Sequence, residues 1–93
     1  MALATGVISV SATAITGLAA KAGRMGVFFQ NVGASKVWIG YGTDPTASQA
    51  TYIPPGSGDT PGALDVNAQS LVCQAVRLTC STGESSTVYY QEY

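Results

Sequence analysis

Between residues 26 and 43 the chain reads GVFFQNVGASKVWIGYGT, two runs of large side chains alternating around a short Gly-Ala-Ser loop. A period of two suits a pleated strand, whose successive side chains point to opposite faces, and it leaves no apolar stripe for a helix. The pattern recurs in short segments rich in Val, Ile, Tyr, Phe and Thr, bounded by Gly, Pro, Asn and Ser. Strands are expected near 6–11, 25–32, 36–41, 50–53, 70–80 and 86–92. The segment SATAITGLAAKAG is less regular. Ala12, Ile15, Leu18 and Ala19 fall at helical spacing for a turn or two, while Gly17 and the threonines count against a stable helix. All four prolines lie between Asp44 and Asn67, a stretch read as turns around one short edge strand at Tyr52-Ile53. With 93 residues the chain makes one domain. The expected fold is all-β, an antiparallel β-sandwich or flattened barrel of six to eight strands, jelly-roll-like. Residues 1–23 form an amino-terminal arm with the first strand, packed or extended, and residues 24–93 the body.

Pairing Val32 with Lys36 across Gly33-Ala34-Ser35 makes the opening segment a hairpin with a three-residue loop. Val27, Phe29, Asn31, Val37, Ile39 and Tyr41 then share a core face. Phe28 and Trp38 become diagonal neighbours pointing off it together, with Gly40 leaving room for the Phe28 ring. A slip of one residue leaves neither face polar, which selects the first register. Farther on, the apolar phase of SLVCQAVRLTC shifts between Ala75 and Val76, as at a bulge or a bend where a strand changes sheets. CSTGESST is read as a hairpin loop back to VYYQEY. Cys73 and Cys80 lie in that extended segment, about 23 Å apart at seven residues of strand rise. A disulfide requires Cα atoms within about 7 Å, so two buried thiols are expected.

Chemistry is scarce. With no histidine in the chain, no serine or threonine can be paired with an imidazole base, and neither Lys21 nor Lys36 lies in an S-x-x-K motif. Asp44, Asp59, Asp65, Glu84 and Glu92 fall in expected loops or at the terminus. GSGDTPG lacks the lysine of a phosphate-binding loop and precedes no helical pattern. No catalytic residue, cofactor or metal site is therefore expected; two thiols without histidine do not complete a zinc shell. The start of the chain has no basic residue before Lys21 and no unbroken apolar run, so neither a leader nor a membrane span is expected. A net charge of −1 with four scattered basic residues gives no footprint for nucleic acid or membrane. Only 10% of residues are charged, against about 25% in an ordinary soluble domain. Much of so bland a surface is expected to be covered by further copies or by a partner. Aromatic side chains are the remaining candidates for contact. Tyr41 and either Tyr89 or Tyr90 are assigned to the core, and Phe28 with Trp38 either to an interface or to a face packed under the Ala-rich amino-terminal segment.

ATAITGL, AGRMGVFFQNVGASKVWIGYG, ATYIPPG and then SLVCQAV and STVYYQEY follow one another in an order that resembles small virion proteins of tailed bacteriophages. The matching positions are Arg24, Val27, Phe29, Gln30, Asn31, Gly33, Val37, Trp38, Ile39 and Gly40, then Ile53, Pro55 and Gly56. The resemblance implies a structural, non-enzymatic virion protein made in the host cytoplasm. First comes a capsid decoration (cement) subunit, binding itself as a homotrimer and the major capsid protein. The alternative is a carbohydrate- or receptor-binding module of a head fibre or tail tip. Phe28 and Trp38 are the expected contact residues, joined by Val7, Ile8 and Val10 if the arm adds a strand to a partner sheet.

Overall fold

The computed structural model describes residues 5–45, 51–57, 59–68, 71 and 73–93. Residues 1–4 of the expected arm, Ala50, Ser70, Val72 and Gly58 of GSGDTPG lie outside the described residues. Eight strands are present among them: β1 (Thr5–Val10), β2 (Ile15–Leu18), β3 (Val27–Asn31), β4 (Val37–Tyr41), β5 (Thr51–Ile53), β6 (Gly62–Val66), β7 (Val76–Thr79) and β8 (Ser86–Glu92). They form two four-stranded antiparallel sheets, ordered β1-β8-β3-β6 and β2-β7-β4-β5.

That order follows from a single operation. β1 pairs with β8, β2 with β7, β3 with β6 and β4 with β5, as in one long hairpin with β4 and β5 nearest its tip. Rolling that hairpin up sets β8 beside β3 and β7 beside β4. The result is a jelly-roll β-sandwich, the expected class. Ile8, Val10, Val27, Phe29, Val66 and Val88 from the first sheet meet Leu18, Val37, Ile39, Ile53, Val76 and Leu78 from the second in one buried core. Tyr41 and Tyr90 pack against it while Tyr89 stays exposed.

The opening hairpin does not form. β3 and β4 lie in different sheets, and the chain crosses between them over residues 32–36. The core face is the one expected, since Val27, Phe29, Asn31, Val37 and Ile39 are all buried. Asn31 is the polar residue of that face. A buried amide needs partners; this crossing supplies two and β8 the third. Asn31 donates to the Ser35 carbonyl (2.7 Å), and its oxygen accepts from the Gly33 amide (3.0 Å) and the Ser86 hydroxyl. The loop in turn accepts at the Gly33 carbonyl from the Gly56 amide (2.7 Å). A Cβ on Gly33 would collide with Ser86, so glycine lets this crossing lie against the start of β8. Gly40 has a different role from the expected one. It faces Arg77 on β7, and its missing Cβ admits the Thr43 carbonyl folding back over the sheet.

Four other expectations change. The segment 15–18 is a bulged edge strand, with a register shift between Thr16 and Leu18. Residues 62–66, expected as turn, form β6 against β3. The phase shift at Ala75-Val76 marks where β7 begins; before it, the Gln74 amide donates to the Leu71 carbonyl in a turn. The segment after Cys80 crosses from one sheet to the other and is no hairpin.

The chain's last residues are clasped to its first third. Arg24 bonds Glu92 through Nε (2.6 Å) and the Ala19 carbonyl through Nη2 (2.8 Å). Lys21 reaches the other oxygen of Glu92 at 3.3 Å, and Gly26 and Tyr93 exchange both backbone hydrogen bonds.

Candidate functional site

Each sheet buries one face, so the surfaces left for contact are the two outer faces. On the first sheet, alternation turns Thr5 and Val7 of β1, Phe28 and Gln30 of β3, and Tyr89 and Gln91 of β8 outward. The register sets Val7 and Gln30 on either side of Tyr89, and Thr5 and Phe28 on either side of Gln91. Together they line a groove of about 580 Å³. Val7 is 57% and Tyr89 49% exposed, and Phe28 is half-buried across from Gln91. No charged side chain lines this groove among the described residues.

On the second sheet, Trp38 of β4 faces Tyr52 of β5 and Thr79 of β7. The Trp38 and Tyr52 rings meet edge to face, with centroids 5.1 Å apart and planes at 67°. Lys36 lies two residues before Trp38 and holds its ammonium 4.5 Å from the Tyr52 centroid. Arg77 on the same face is paired with Asp44 (2.7 Å) and donates to Thr16 Oγ1 (2.6 Å).

Phe28 and Trp38 therefore both point off the core, but to opposite sides of the sandwich. They are not neighbours. Val7 is exposed as a contact residue must be, whereas Ile8 (8% exposed) and Val10 (2%) are core residues. Their alternation with Val7 and Ser9 already separates the two groups, and β1 is committed to its own sheet through β8. Tyr89 is the contact candidate that sequence reasoning left unresolved between core and surface. Its opposite phase to Val88 and Tyr90 was the available signal.

Several residues of AGRMGVFFQNVGASKVWIGYG and ATYIPPG serve the fold. Arg24 holds Glu92, Asn31 and Gly33 build the crossing between sheets, and Gly56 docks onto it. Burial, then Glu84, pushes the Cys80 thiol up, which keeps it protonated and unreactive. Among the described residues no group of three or more His, Cys, Asp and Glu is placed to hold a metal ion. No helix among them is long and apolar enough to cross a membrane. No protein-family model, no curated protein and no solved structure matches the chain.

Proposed function

We propose that the chain is a non-catalytic structural subunit that decorates the outside of a tailed-bacteriophage capsid, bound through the outer face of the β1-β8-β3-β6 sheet. The observation that carries this reading is the uncharged groove of Val7, Phe28 and Tyr89, rimmed by Gln30 and Gln91. Aromatic anchors with a neutral polar rim are the composition of protein interfaces. The resemblance to small virion proteins supports the same reading. So does fold-level analogy, since jelly rolls serve as capsid and lectin modules. Many copies on one shell would hold by the sum of individually modest contacts.

The test is binding to capsids stripped of this protein. Tyr89→Ala is expected to weaken binding by about 2 kcal/mol or more, the size of an aromatic hot spot. Its unfolding free energy should change by no more than about 0.5 kcal/mol, as at an exposed position. Wild-type affinity in Tyr89→Ala and Val7→Ser would exclude this face. Failure of the wild-type chain to bind stripped capsids would exclude decoration.

A further inference from the structure

The outer face of the second sheet points away from the proposed docking face and carries a different kind of surface. Strand alternation puts Lys36 and Trp38 on one side of the chain, and the β4–β5 register brings Tyr52 opposite Trp38. The indole is steadied by Nε1 donating to Ser81 Oγ at 3.4 Å. Tyr52 is 39% exposed. The Lys36 ammonium lies near both rings, 4.5 Å from the Tyr52 centroid and 5.8 Å from that of Trp38.

Lys36 also stands apart in its pairing. Lys21 and Arg24 bond Glu92, and Arg77 bonds Asp44. Lys36 is in no ion pair among the described residues. An exposed cation over aromatic rings is weakly held and can turn to a stronger, charge-assisted partner.

We propose that Lys36, Trp38 and Tyr52 form a binding site for a saccharide that carries a carboxylate, a uronic or sialic acid unit. The apolar C–H face of a pyranose fits against an aromatic side chain, as other amphipathic groups do. Rings at 67° make a corner for one sugar unit, where a flat stack would favour a planar base. The polar anchor of the corner is a cation, which selects an anionic sugar over a neutral one. Gln30 lies on the opposite sheet and takes no part. This site stands independently of capsid docking, because it is complete in one chain.

Trp38 is the only tryptophan, so its fluorescence reports on the corner directly. The full-length chain is titrated with 3′-sialyllactose and with a trimer of galacturonic acid, and with lactose as the neutral control. Calorimetry provides a second readout. A saturable change is expected with an acidic saccharide, and binding of lactose about tenfold weaker or less, the loss of one charge-assisted hydrogen bond. Lys36→Gln should abolish that preference and Tyr52→Ala the binding itself, with circular dichroism unchanged in both. Absence of saturable binding to both acidic probes up to about 10 mM, the range of weak sugar affinities, would overturn the proposal. Equal affinity for lactose, or wild-type affinity in Lys36→Gln, would overturn it as well.

Discussion

Asn31 is a polar residue with no exposure, beside a core built mostly from Val, Ile, Leu and Phe. Its amide stands in for a stretch of backbone, bridging Gly33 and Ser35 where the chain leaves one sheet for the other. Asn31→Ala would strand the Gly33 amide, the Ser35 carbonyl and the Ser86 hydroxyl. The expected loss is about 3 kcal/mol, read from the denaturant midpoint, since each buried unsatisfied group costs roughly 1–3 kcal/mol. The Arg24–Glu92 pair makes a companion case, with side-chain exposures of 4% and 9%. Glu92→Gln leaves a buried guanidinium without its counter-charge and is expected to cost about 3 kcal/mol. Arg24→Met with Glu92→Leu should recover much of that, because a buried ion pair is seldom better than a packed apolar one. A double mutant no more stable than Glu92→Gln would show that the charges themselves matter.

At the scale of the strand, what alternation can reveal and what it cannot are cleanly separated. The inward positions of β3, β4 and β8 were legible, because a period of two depends on each strand alone. Which strand lies beside which depends on where buried polar groups find partners, and neither Asn31 nor Ser86 announces that in sequence. The strand 62–66 was hidden differently: Leu64 and Val66 do alternate with Ala63 and Asp65, but between prolines and glycines they read as turn. Of the candidate contacts, Val7 and Phe28 were legible as outward residues once the phase was known. The separation of Phe28 from Trp38 was not, since it follows from the topology. Hydrogen exchange should rank the strands by neighbours rather than by composition. The three-residue edge strand β5 and the bulged edge strand β2 should exchange first, and the central strands β8, β3, β7 and β4, paired on both sides, last. Protection of β5 equal to that of β8 would contradict the described order of the sheets.

For the whole molecule, the uncharged groove on the first sheet and the low charge content predict self-association as well as docking. Sedimentation of the pure chain is expected to give a trimer or another small closed assembly, because closed symmetry buries such patches without growth into fibres. Tyr89→Ala in the same experiment separates the two uses of that face. If the assembly falls apart, the groove joins copies of the chain; if it persists while capsid binding is lost, the groove meets the shell.

The rolled hairpin also dictates an order of events during synthesis. β8 is central in the first sheet, between β1 and β3, and it is the last of the eight strands to be made. Until residues 86–92 leave the ribosome, β1 and β3 have no strand between them, and Arg24 has no Glu92 to meet. The nascent domain therefore stays open until β8 has been made. The groove, too, is incomplete until then, because Tyr89 and Gln91 belong to β8.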